Sequence, residues 1–113
     1  MWTIIIKKKF SSAHFLRDYK GKCEELHGHN YLIVVYIAGK KLRKSELLYD
    51  FKEIKDYLNK ILPDHQYLNN IYKFNPTTEN LAKYFFDTIK KKYPVVKIEI
   101  WEDENQGSSY TNK

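Results

Sequence analysis

His27-Gly28-His29-Asn30-Tyr31-Leu32-Ile33-Val34-Val35-Tyr36-Ile37-Ala38-Gly39 is the stretch on which the fold turns. Its apolar centre, Leu32 to Ile37, is rich in β-branched and aromatic residues and is bounded by Gly39. That composition reads as a long strand over 27–38. Upstream, Trp2, Ile4, Ile6 and Phe10 mark a second long strand over 2–13. Between them, Arg17, Asp18, Gly21 and Lys22 read as a loop over 14–26. The two strands are expected to pair as a hairpin.

Downstream the period changes from two to that of a helix. Asp50-Phe51-Lys52-Glu53 has capping-box spacing with Asp50 as the cap. Phe51, Ile54, Leu58 and Ile61 then form one apolar stripe, and Pro63 follows the last turn. A loop is expected up to Pro76. Thr77-Thr78-Glu79-Asn80 opens a second helix, with Glu79 where the dipole favours an anion. Leu81, Phe85 and Thr88/Ile89 form its inner face, and Pro94 ends it. Val96, Ile98 and Ile100 mark a strand over 95–102, and a short strand is expected around 108–111. The order ββααββ is an α+β layout in one domain spanning 1–113. An open sheet of this size has edges to cover, and self-association is one remedy.

Composition excludes several classes. The chain has 113 residues, 42% hydrophobic and 30% charged, which is ordinary for a globular domain. The net charge of +6 admits an anionic partner, but the lysines are scattered apart from Lys7–Lys9 and Lys90–Lys92, and solvated faces explain them. No clustered basic-aromatic motif supports nucleic-acid binding. One cysteine, Cys23, rules out an internal disulfide. No apolar run approaches membrane-spanning length, and the N-terminal residues lack a signal-peptide layout. A cytoplasmic protein without membrane contact is the expectation.

Four histidines are present: His14, His27, His29 and His65. On a strand, His27 and His29 point to the same face. The hairpin returns His14 beside them. Three imidazoles leave the fourth tetrahedral position open, the pattern of a catalytic zinc. Copper, nickel and iron also accept imidazole, so zinc rests on preference and availability. Cys23, in the loop before His27, suits either a thiolate base or a fourth ligand that closes the site. Asp64-His65 reads as an oriented acid–base pair or as a plain turn.

Together these residues form an ordered pattern. Phe10-Ser11-Ser12-Ala13-His14, Cys23-Glu24-Glu25-Leu26-His27-Gly28-His29-Asn30-Tyr31, Tyr49-Asp50-Phe51, Pro63-Asp64-His65-Gln66-Tyr67-Leu68-Asn69, Pro76-Thr77-Thr78-Glu79-Asn80-Leu81-Ala82 and Trp101-Glu102 occur in that order. The pattern covers nearly the whole chain and resembles the 6-pyruvoyl-tetrahydropterin synthase family. The spacing Cys-x-x-x-His-Gly-His is similar to that of its 6-carboxy-tetrahydropterin synthase branch, which serves the queuosine pathway. The resemblance implies a tunnelling fold (T-fold), with an antiparallel sheet and two helices on one face. It implies barrel trimers that stack as homohexamers, with active sites between subunits.

It also implies a substrate, 7,8-dihydroneopterin triphosphate, and a zinc ion on His14, His27 and His29. By the same resemblance Cys23 is the base, Asp64 and His65 relay protons, and Glu102 anchors the pterin. Thr77, Thr78 and Glu79 fall at a helix start that can offer N–H groups to the substrate, and Lys22 is the lysine nearest the site in sequence. The related outcomes on this scaffold are a 6-pyruvoyl product, aldolase-like cleavage of dihydroneopterin, or a non-catalytic metal or pterin carrier. One stretch departs from the pattern: Asp103-Glu104-Asn105-Gln106-Gly107 is unusually acidic for a neighbour of a triphosphate site.

Overall fold

The first two strands pair along their whole length, as the hairpin reading requires. In the computed structural model, which describes residues 1–17 and 25–112, β1 spans Trp2–His14 and β2 spans His27–Gly39. Their antiparallel register runs from Trp2↔Gly39 to His14↔His27. α1 (Phe51–Ile61), β3 (Gln66–Tyr67), α2 (Leu68–Ile71), α3 (Thr78–Ile89), β4 (Val95–Trp101) and β5 (Gly107–Tyr110) follow. The sheet order is β3-β1-β2-β4-β5.

Alternation sorts the sheet into two faces. Ile6 and Phe10 of β1, Tyr31, Ile33, Val35 and Ile37 of β2, and Ile98 and Ile100 of β4 are buried in one cluster. Ile54 and Leu58 of α1 and Leu81, Ala82, Phe85, Phe86 and Ile89 of α3 complete it, so both helices cover the same face. Ile5, Lys7 and Lys9 point the other way and are exposed. Among the described residues no helix is long and apolar enough to cross a membrane.

The structure differs from the expected layout in several places. The stretch 63–76 is not a plain loop, because it contains β3 and the helical turn α2. β3 runs parallel to β1 at Ser12↔Gln66 and Ala13↔Tyr67, so the sheet is mixed rather than purely antiparallel. A two-residue strand has no period to detect, and only its distant partner defines it. The capping box is half made. Asp50 accepts from the Lys52 N–H at 2.9 Å, but Glu53 accepts from the Tyr93 hydroxyl at 2.8 Å instead of reaching back. Phe51 is 52% exposed, so the buried stripe of α1 is Ile54 and Leu58.

α3 ends at Ile89, well before Pro94, where the Lys92 and Tyr93 N–H groups both donate to the Ile89 carbonyl. Thr88 bonds back to the Tyr84 carbonyl at 2.9 Å, and Phe86 joins Ile89 inside. The last strand is one residue earlier than expected, at Gly107–Tyr110.

Candidate metal centre and surrounding site

The register brings three imidazoles together. His14 and His27 are direct cross-strand partners, and His29 faces Ser12 two pairs further in. Residues in such positions lie within side-chain reach on one face. The ring centroids are 4.5 Å (His14–His27), 4.7 Å (His27–His29) and 5.1 Å (His14–His29) apart. The three available ligand atoms lie within 4.8 Å of one another.

Hydrogen bonding sets which nitrogens are free. His14 Nδ1 lies 2.8 Å from the Pro76 carbonyl, and His27 Nδ1 lies 2.7 Å from the Glu25 carbonyl. A carbonyl only accepts, so both Nδ1 atoms carry the proton and both neutral rings present a bare Nε2. Those two Nε2 atoms face each other at 3.0 Å. His29 Nε2 is buried and has no hydrogen-bond partner among the described residues. Two lone pairs and the unpartnered His29 Nε2 converge on one point, a donor set that fits a cation held by nitrogen ligands. The Tyr31 hydroxyl lies 3.0 Å from His14 Nδ1, and its ring stacks on Phe10 beneath the cluster.

Burial lowers the pKa of His14 below the ordinary imidazole value, against the opposing Pro76 hydrogen bond. Burial also lowers that of His29, although the charge of Glu102 resists it. Both rings are therefore neutral ligands at neutral pH. The same shifts make the metal-free protein acid-sensitive. Below the ordinary imidazole pKa the unfolded chain takes up protons that the folded rings refuse, so stability falls as pH falls. Asp64, Asp87 and Glu99 have lowered carboxylate pKa values, and their stabilisation is lost only at more acidic pH. Urea midpoints of chelator-treated protein are expected to drop between pH 7.5 and about 5.5, and a flat profile would contradict the assignment.

Glu102 stands just beyond β4, with its Oε2 3.7 Å from His29 Nε2. The segment leading into α3 lies close by, since the Pro76 carbonyl holds His14. Thr77 is the cap: its hydroxyl accepts from the Asn80 N–H at 3.1 Å. The Thr78 hydroxyl donates to Glu79 Oε1 at 3.1 Å and pairs with the Ser108 hydroxyl at 2.6 Å, tying α3 to β5.

Asp64 and His65 are not part of this cluster. Asp64 Oδ1 accepts from the Ser11 N–H at 2.8 Å, which holds its pKa below the usual carboxylate range, and the His65 N–H donates to the Ser11 carbonyl at 2.5 Å. His65 adopts φ 56°, a left-handed conformation in which histidine is among the better-tolerated residues, and its Nδ1 lies 3.0 Å from Asp64 Oδ2. Both side chains are largely exposed, at 82% for His65 and 54% for Asp64. They border a groove of about 690 Å³ whose wall also includes Ser11, Asn30, His29 and Glu102. The groove therefore reaches from Asp64 and His65 to one imidazole of the cluster and to Glu102. Cys23 and Lys22 lie outside the described residues.

Two asparagines are positioned in a way that sequence reading overlooks. Asn69 accepts from the Phe15 N–H and donates to its carbonyl, at 2.9 and 3.1 Å. Asn75 does the same to Arg17, at 2.9 and 3.1 Å. Side-chain amides thus continue the pairing of β1 past His14. Asn69 falls within one of the family-like blocks, but nothing in its local sequence marks it as a clamp.

A mixed sheet with helices on one face, and three imidazoles at one end of its central hairpin, defines a metal-binding T-fold subunit. The chain belongs to the 6-pyruvoyl tetrahydropterin synthase family, whose model matches residues 3–113. The 6-carboxy-5,6,7,8-tetrahydropterin synthase of Synechocystis sp. is 32% identical over 99 residues, 80% of this chain and 77% of that protein. The dihydroneopterin monophosphate aldolase of Pyrococcus furiosus is also 32% identical, over 92% of each chain. The structure of Caenorhabditis elegans 6-pyruvoyl tetrahydropterin synthase superposes with a TM-score of 0.86 at 27% identity, covering 99% of this chain and 96% of that one. Family and histidine cluster together make this chain an enzyme of that fold.

Proposed function

We propose that this chain converts 7,8-dihydroneopterin triphosphate to 6-carboxy-5,6,7,8-tetrahydropterin, acetaldehyde and triphosphate, as a cytoplasmic zinc enzyme of queuosine biosynthesis. The observation that carries the proposal is the convergence of three imidazoles beside the Glu102 carboxylate. The cysteine spacing before His27 and the 6-carboxy-tetrahydropterin synthases among the relatives favour this reaction.

His14, His27 and His29 would hold the zinc. Zinc in such a site supplies Lewis acidity toward hydroxyl and carbonyl oxygens. Glu102 would receive the amino-pyrimidinone edge of the substrate, since a carboxylate accepts two parallel hydrogen bonds from such a donor pair. Thr77, Thr78 and Glu79 would line the substrate from the start of α3. Cys23 as thiolate would remove the carbon-bound proton of the substrate side chain, and Asp64–His65 would return protons.

Asp64 and His65 share a groove with His29 and Glu102 but make no hydrogen bond to the three imidazoles, so the dyad would serve this centre or that of a neighbouring copy. β1 is paired on its outer side only at Ser12 and Ala13, and β5 is the other edge, so both sides of the sheet can accept strands of further copies in a homohexamer.

Incubation of zinc-loaded protein with 7,8-dihydroneopterin triphosphate should yield carboxytetrahydropterin and acetaldehyde. A 6-pyruvoyl product would sink this reading. The Pyrococcus furiosus relative, aligned over 92% of both chains, favours a second one: aldol cleavage of a dihydroneopterin phosphate. Turnover of the monophosphate and none of the triphosphate would establish that instead.

A further inference from the structure

The acidic turn after β4 is a built element. Asp103 Oδ1 accepts from the N–H groups of Asn105 at 2.7 Å and Gln106 at 3.1 Å. The Glu102 N–H donates to the Gln106 carbonyl at 3.1 Å. Gly107 must follow, because a Cβ there would lie 2.5 Å from the Ile100 carbonyl oxygen and 2.9 Å from Trp101 Cα. Asp103 is therefore a turn former, which accounts for one acidic residue that suits a triphosphate site poorly.

These contacts hold Gln106 at a defined point, and its Nε2 donates to Glu102 Oε1 at 2.7 Å. A carboxylate only accepts, so the amide nitrogen and not the amide oxygen must face it. The terminal torsion of a glutamate is broad and shallow, so an unsupported carboxylate plane is poorly fixed. Each carboxylate oxygen has two acceptor sites, so Oε1 can hold Gln106 and a ligand at once. Oε2 remains on the side of His29.

We infer that Gln106 is a positioning residue for Glu102, setting the carboxylate plane on which the donor edge of a 2-amino-4-oxopyrimidine ring docks. The inference rests on the proposed role of Glu102 as the substrate anchor.

Gln106→Met keeps side-chain length and removes the donor; Gln106→Glu keeps length and sets a carboxylate against a carboxylate. In zinc-loaded protein, both should raise KM for 7,8-dihydroneopterin triphosphate and Kd for neopterin, read by its own fluorescence. The expected rise is about tenfold for the methionine variant and more for the glutamate variant, because a charge-assisted, orienting hydrogen bond is lost. The kcat should change less than about threefold, the pattern of lost ground-state binding. Zinc content and Tm should stay at the wild-type values, whereas a merely structural role would lower Tm and leave KM and Kd unchanged.

Glu102→Gln separates the two ways of failing. If it weakens neopterin binding while both Gln106 variants bind normally, the inference is overturned and the anchor survives. If it leaves neopterin binding unchanged, the anchor is wrong and the inference falls with it. The neopterin measurement remains decisive whatever reaction the enzyme performs.

Discussion

His29→Ala is expected to reduce bound zinc from about one ion per chain to none, and to lower turnover at least about a thousandfold. On the proposed zinc reading, two imidazoles supply one protein ligand too few for tight binding. His29 is the best of the three to remove. Its Nε2 makes no hydrogen bond among the described residues, so its loss leaves no protein group unsatisfied there. His14→Ala should also empty the site, but it would strand the Pro76 carbonyl and the Tyr31 hydroxyl in a buried position, at a cost of about 1–3 kcal/mol. The metal-free forms of wild type and His29→Ala should therefore melt alike, with added zinc stabilising only the wild type. Elemental analysis and paired melting curves test this. Zinc retained by His29→Ala at wild-type affinity would remove the histidine cluster as the metal site.

Cys23→Ala is expected to keep the zinc and lose about 10²–10⁴ in turnover, the usual contribution of a positioned acid or base. Cys23 is the only cysteine, so the rate of thiol alkylation reports on it alone and its pH dependence gives the thiolate pKa directly. Substrate binding should change little. If the alanine variant instead loses the metal, Cys23 is the fourth ligand and the site is closed and structural. If it keeps full turnover, the base lies elsewhere.

Much of the fold and the metal cluster was legible because the signals are local. A period of two across 27–38 places His27 and His29 on one face whatever the rest of the chain does. Apolar residues at helical spacing placed α1 and α3, and Asp50 and Thr77 cap them as their residue types suggest. What failed locally failed where a distant group competed. Glu53 has capping-box spacing, yet the Tyr93 hydroxyl captures its carboxylate across 40 positions of sequence. β3 exists only because Ser12 and Ala13 of β1 lie beside it.

The sequence by itself determined which face of the central hairpin carries the imidazoles, because side-chain direction on a strand follows from backbone pleating alone. It also named Glu102, Asp64 and His65 as candidates, through their place in a family-like pattern. Only the tertiary structure decided how these groups relate. It set the tautomers of His14 and His27 by bringing carbonyls to their Nδ1 atoms, in the case of Pro76 from 62 positions away. It put Glu102 beside His29 and braced it with Gln106. It also set Asp64 and His65 against the edge of β1 at Ser11. Such pairings depend on where the chain returns in space, and residue types and local periods do not encode that path.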